Sequence, residues 1–195
     1  MPKIRQDPRP FIYPLPVALV TCLDPNGGSN IITVCWIMNA SASPPLVAIS
    51  LRPHRYSTQI IQESGEFGVN IPSTHLTYEV DLCGTLSGMD VEKLRIAGLT
   101  EMKAEKIGAP LLADCPVNME CRTHQVIPLG SHILVLGEVV ALYVEESALS
   151  AESQVEGDER EFDVTLAQPL IYAPGTHDYW TLAQTRQSRS EGKKP

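Results

Sequence analysis

The sequence predicts a mainly β protein, a small antiparallel barrel carrying a few short helices. Apolar, β-branched runs recur at regular spacing and are separated by proline, glycine, asparagine and aspartate. Helical periodicity is confined to short pieces. One late run is almost continuous Ile, Leu and Val, the composition of a strand at the centre of a core. No internal repeat is visible, and 195 residues suit one domain spanning 1–195.

The elements follow in order. Pro16-Val17-Ala18-Leu19-Val20-Thr21-Cys22 is a strand that ends in the turn chemistry of Asp24-Pro25-Asn26-Gly27-Gly28. Ile31–Met38 answers it as the second arm of a hairpin. Ser43-Pro44-Pro45 closes that arm, and Leu46–Leu51 reads as a third strand of a meander. Ser57–Glu63 switches to helical period, with Ser57 or Thr58 expected as N-cap and Gly65 just past the end. Phe67–Ile71 is a strand stopped by Pro72. Helical pieces are expected over Thr74–Leu82 and Asp90–Ala97, joined by a loop over Cys83–Gly88. Long strands over Val117–Ile127 and His132–Glu145 flank a turn at Pro128-Leu129-Gly130, and Pro169–Tyr172 is a last strand. Residues 184–195, polar and basic, are expected to be disordered.

Charge and composition remove several function classes. The chain carries 23 Asp+Glu against 15 Lys+Arg, a formal charge of −8, which disfavours a nucleic-acid partner. No run of 18 apolar residues spans a membrane, and the charged, proline-bearing N-terminus lacks the apolar core of a signal peptide. A cytoplasmic location is the expectation. Five scattered cysteines read as buried thiols in a reducing compartment. Cys115 and Cys121, about 20 Å apart along an expected strand, share a face but neither a metal nor a disulfide. No metal site is expected. P-loop, dinucleotide-fold and H-E-x-x-H patterns are absent, and Gly84-Thr85-Leu86-Ser87-Gly88 puts serine one place late for G-x-S-x-G.

Eight of the 23 acidic residues fall in Glu145–Asp163 beside one base, Arg160, a solvated loop or partner-covering excursion. Against them stands one basic island, Leu51-Arg52-Pro53-His54-Arg55-Tyr56-Ser57-Thr58, running into a helix start. Free N–H groups, the helix dipole, arginine and hydroxyls there form an anion site, or else an ordinary capped surface helix. The loop Cys83–Gly88 followed by Lys93 offers close backbone approach and a cation to a planar ligand, or is a plain loop with a solvated lysine. His132 reads as a rim residue or a modulator. Trp36 reads as core or as an aromatic wall.

Taken together, Pro16–Thr21, Gly28-Ser29-Asn30, Trp36, Ser43-Pro44-Pro45, Arg55-Tyr56-Ser57-Thr58 and Phe67–Pro72 resemble the flavin reductase-like, flavoredoxin group. Cys83-Gly84, Ser87-Gly88, Asp90, Lys93, Gly130-Ser131-His132 and Gly137-Glu138-Val139 continue the resemblance in the same order. It covers roughly residues 12 to 182. It implies an antiparallel split β-barrel of Greek-key type, usually a homodimer, with FMN in the crevice between subunits. By the same resemblance Asn30, Trp36, Ser57, Thr58, Lys93 and His132 surround the flavin. Thr33, Val34, Cys35 and Trp36, with Ser50, Leu51 and Arg52, line its ring and ribityl tail, and Arg55 is near the phosphate. Cys35 replaces a serine common in relatives, and Phe162 is the candidate aromatic that closes the site.

The flavin would carry the redox chemistry, so no catalytic side chain is expected. The leading expectation is an NAD(P)H:flavin oxidoreductase, with NADH or NADPH as co-substrate and Lys93 at the ring edge. The alternatives are a flavoredoxin-like carrier reduced by a partner protein, with the acidic segment as docking surface, and a barrel without flavin.

Overall fold

The computed structural model describes residues 1–150 and 160–182. Its strands are β1 (Leu15–Pro16), β2 (Ala18–Leu23), β3 (Ser29–Val34), β4 (Ile37–Ala42) and β5 (Pro45–Leu51), then β6 (Glu66–Ile71) after helix α1 (Tyr56–Ser64). Helices α2 (Thr77–Thr85) and α3 (Lys93–Ala97) precede the two-residue strands β7 (Glu101–Met102) and β8 (Leu111–Leu112). The long strands β9 (Val117–Pro128) and β10 (Ile133–Val144) follow. Helix α4 (Val164–Ala167), β11 (Ile171–Ala173) and β12 (Asp178–Trp180) are the last elements of the described residues.

Seven strands form one antiparallel sheet in the order β3-β2-β6-β9-β10-β5-β4. Strands β3 and β4 are separated by only Cys35 and Trp36, yet they occupy the two edges of that sheet. The sheet therefore curls until its edges meet, β3 touches β5, and the Ser50 amide donates to the Trp36 carbonyl at 2.8 Å. The result is a mainly β antiparallel barrel, split where β3 turns into β4. This corrects two expectations. The run Ile31–Met38 is not one strand but two, and the first three strands are two hairpins at opposite edges, not a meander.

Burial explains why β2 and β3 read as nearly continuous apolar runs. Val20, Ile32 and Val34 face the barrel interior with Ile49, Phe67, Val69 and Val135. Leu19 and Ile31 face outward, under a layer that includes Val80, Cys83 and Leu94 of α2 and α3. Inside the barrel β10 passes so close to Phe67 that a Cβ on Gly137 would lie 2.3 Å from the ring, so a residue without a side chain is required there.

Local differences have physical reasons. The N-cap of α1 is Arg55, extended and without a side-chain cap; Gly65 is left-handed at the C-cap, as expected. The hydroxyls of Ser57 and Thr58 bond elsewhere. A single 3-10 turn occupies Thr74–Leu76, and α2 runs on through Cys83, Gly84 and Thr85, so the loop begins at Leu86. Lys93 opens α3 and is not one turn inside it. Cys115 precedes β9 and packs in the outer cluster, whereas Cys121 lies inside the barrel, so they share no face. His132 sits just before β10. The small sheet β1-β11-β12 had no sequence signal beyond its Pro169–Tyr172 portion. The ends of the acidic segment meet through a Leu149–Phe162 bridge. Glu152, Glu156, Asp158, Glu159 and the tail 184–195 lie outside the described residues.

Candidate functional site

The basic island folds into a turn and a helix start. The Arg55 amide donates to the Arg52 carbonyl at 3.1 Å and the Thr58 amide to the Arg55 carbonyl at 2.9 Å. Thr58 Oγ1 also donates to the Arg52 carbonyl, at 3.0 Å. Thr58 thereby fixes the turn, while the first turn of α1 has no side-chain cap. Orphan N–H groups at such a start favour an anion.

Three further segments converge on it. Asn30 of β3 donates from Nδ2 to Ser57 Oγ at 2.8 Å. Its Oδ1 lies where a Cβ on Gly88 would be, 2.1 Å away, so glycine is required where the loop crosses β3. Thr33 Oγ1 donates to the Val80 carbonyl at 2.5 Å, seating α2 on β3. Lys93 then enters from α3. It is 4% exposed, and its Nζ donates to the Cys83 carbonyl at 3.1 Å. Arg55, Tyr56, Ser57, Ser87, Gly88 and Lys93 line one crevice, and among the described residues no carboxylate lines it. Neither Arg55 nor Lys93 is in a described ion pair. Burial pushes the Lys93 ammonium below its ordinary range, and the nearby Arg55 adds to this.

The second cluster is aromatic. Trp36, at the split between β3 and β4, is 42% exposed and stacks on His132, with centroids 4.5 Å apart and planes 22° apart. Pairing of Ile133 with Leu51 carries His132 to the end of β5, where Arg52 begins the basic turn. Burial, and then the Arg52 charge, lower the His132 pKa. The Arg52–Arg55 turn joins this aromatic wall to the crevice.

The structure thus brings Asn30, Arg55, Ser57 and Lys93 together, and separately Trp36, Ser50, Arg52 and His132. Val34 and Leu51 point into the barrel core, leaving only their backbone for a ligand. Cys35 packs against the outer cluster, and burial pushes its thiol to about 11. Phe162 is exposed and bridges Leu149. Sequence reasoning missed the lock between Tyr56 and Asp24, in which the phenol donates to the carboxylate and depresses its pKa. It also missed the contact between Asn30 and Ser57. Among the described residues no His, Cys, Asp and Glu cluster could hold a metal, all five cysteines are free, and no described helix is long and apolar enough to cross a membrane.

A crevice lined by Arg55 and Lys93 next to an exposed aromatic wall, on a split barrel, can be compared with known proteins. A family model described as flavin reductase like domain matches residues 11–181. The chain belongs to the flavin reductase-like family. Flavin reductase-like proteins are flavoproteins, and the fold here is their split barrel. The flavoredoxin of Desulfovibrio vulgaris (Miyazaki F) superposes with a TM-score of 0.88 at 28% identity, covering 98% of this chain and 100% of that one. The flavoredoxin from Methanosarcina acetivorans gives 0.87 at 27%, covering 100% and 98%. A flavin reductase of Pseudomonas putida is 33% identical over 141 residues, 70% of this chain and 78% of that protein.

Proposed function

We propose that the protein binds FMN and acts as an NAD(P)H-dependent flavin oxidoreductase. One observation carries the reading: Lys93 is a buried cation with a carbonyl partner and no described carboxylate partner, beside Arg55 and an uncapped helix start. A buried charge left uncompensated by the protein calls for a counter-charge from a ligand. A phosphate monoester fits that demand, and the family supplies the rest of the molecule.

In this reading Arg55, Lys93, the Ser57 hydroxyl and the amides of Tyr56 and Ser57 hold the phosphate. Lys93, expected at the ring edge, is reassigned to the phosphate because it shares the crevice with Arg55 and Ser57. Trp36 and His132 provide a flat wall for the ring, with backbone of Thr33–Trp36 and Ser50–Arg52 alongside. Bound FMN supplies the redox chemistry, taking hydride from NADH or NADPH and handing electrons to free flavin or another acceptor. Trp36, 42% exposed on a split barrel edge, suits a site completed by a second copy of the chain, hence a homodimer. The five free thiols suit a reducing cytoplasm.

A second reading is a flavoredoxin-like carrier reduced by a partner protein. The end-to-end likeness to two flavoredoxins favours it. Purified protein should show the visible bands of a flavin, released as FMN on heating. Anaerobic bleaching by NADH or NADPH supports the reductase; bleaching only by a reduced redox protein supports the carrier. Colourless protein that takes up no FMN overturns both.

A further inference from the structure

Residues 1–14 form an arm outside the packed body. Every residue of it is exposed, and none makes a hydrogen bond or ion pair with the rest of the described chain. Its ring contacts are internal: the Phe11 and Tyr13 centroids are 4.7 Å apart, and the Arg9 guanidinium lies 5.4 Å over Phe11. Phe11, Ile12 and Tyr13 are 64%, 80% and 41% exposed, three large side chains in a row without cover. Pro2, Pro8, Pro10 and Pro14 favour an extended arm, so ordering it on a surface costs little and its reach is about 40 Å.

One sheet face is without cover too. Val47, Ile49 and Leu51 of β5 and Val135 of β10 point into the barrel, so alternation turns Leu46, Ala48, Leu134 and Leu136 outward. Met38 of β4 pairs with Ala48, and Ala48 with Leu136, making an apolar row across three strands. Elsewhere α2 and α3 cover the outside of β3, and residues 104–111 cover the far end of β10. Neither layer includes the row, and Met38 is 64% exposed. Strand β1 lies against β4, so the arm leaves the body beside this face.

We infer that the arm is exchanged between two copies of the chain, with Phe11, Ile12 and Tyr13 of one copy covering the Met38-Ala48-Leu136 face of the other. A two-fold axis near that face makes the exchange reciprocal. The charges agree. Lys3, Arg5 and Arg9 against Asp7 give the arm a formal +2; the whole chain carries −8, so the remainder carries −10. The inference rests on the homodimer reading above and names the segment and the face that hold the dimer together.

The test is a sedimentation-velocity dilution series on the full chain. F11S/I12S/Y13S, the arm variant, should weaken the dimer about 100-fold or more, the scale of uncovering several apolar side chains. M38K, the face variant, should weaken it about tenfold or more. Both change exposed side chains, so the barrel should fold in each. The decisive sample is their mixture. An arm-variant copy paired with a face-variant copy keeps one intact arm against one intact face, so this heterodimer should be about tenfold tighter than the arm-variant homodimer. An arm lying on its own copy would leave no intact pair in the mixture. A heterodimer no tighter than the arm-variant homodimer, or an arm variant that dimerises like wild type, overturns the exchange and leaves the homodimer standing. A wild type that stays monomeric at every concentration overturns the homodimer reading, and the inference with it.

Discussion

Glu120 and Lys93 are both buried charges, and their surroundings are opposites. Glu120 on β9 is fully covered. Its carboxylate accepts the amides of Glu105, Lys106 and Ile107 at 2.8, 2.6 and 3.1 Å and the Tyr143 hydroxyl at 2.7 Å. Beside it, Asn70 gives both amide protons, to the Leu19 carbonyl and Thr21 Oγ1. Its oxygen accepts from the Leu112 amide and Asn118 Nδ2. These groups strap residues 105–112 onto the sheet, and their hydrogen-bonding capacity is used within the protein. Lys93 makes one bond to a carbonyl and, among the described residues, has no carboxylate in the crevice with it. A buried charge that the protein satisfies holds the fold together; one it leaves wanting is a place for a ligand.

The contrast breaks most visibly at Glu120. E120L leaves the amides of Glu105, Lys106 and Ile107 and the Tyr143 hydroxyl without their acceptor, and urea denaturation should show a loss of about 3 kcal/mol or more. FMN affinity of the folded protein should be unchanged. Burial alone would raise the Glu120 pKa, but the amide and phenol donors outweigh it and hold the carboxyl below its ordinary value. Its contribution is therefore present above the ordinary carboxylate range and is lost as pH falls through the lowered value. E120L should lack that part of the acid destabilisation.

Lys93 should behave in reverse. K93M should cost about 100-fold in FMN affinity, and R55A/K93M more. K93M should also stabilise the apoprotein by about 1 kcal/mol, because an uncompensated buried cation is replaced by an apolar side chain. Thermal scans without FMN, paired with flavin titrations, read both effects.

Acidity sharpens the same contrast. With the Lys93 pKa lowered by burial, the unfolded chain holds more protons than the folded one between that value and the ordinary lysine value. Apoprotein stability should rise with pH across this window. FMN affinity should fall across it, since the neutral amine no longer draws the phosphate. Both slopes should shrink in K93M.

The smallest effect is expected at the aromatic wall. H132A removes the stack on Trp36 and should cost under about 1 kcal/mol of stability. It should weaken FMN and riboflavin by the same few-fold factor, since the ring end of the site does not see the phosphate.

Much of this contrast was legible in the sequence on one side only. The hairpin turn at Asp24–Gly28 and the long strands β9 and β10 announced themselves through turn residues and apolar runs. The split at Cys35–Trp36 did not, because no proline or glycine interrupts Ile31–Met38; closure of the barrel, a long-range demand, bends the chain there. Local composition offered Arg55 and Ser57 as an anion site or as an ordinary capped helix start. Ser57 was misread as a cap because its partner, Asn30, is 27 residues away. Lys93 read as a cation for a ligand or else as a solvated lysine; its burial was not legible, because it comes from α2, α3 and β3 closing around it. Asn118 and Glu120 alternate with Val117, Met119 and Cys121 as on a strand with one wet face. Only the strap over 105–112 makes that face dry.

In the proposed function the crevice of Arg55, Ser57 and Lys93 takes the phosphate of FMN. Titrating apo wild type and apo K93M with FMN and with riboflavin tests it most directly. Wild type should prefer FMN by about 100-fold or more, and that preference should collapse to within a few-fold in K93M. Equal binding of the two flavins by wild type, or a preference that survives in K93M, would contradict it.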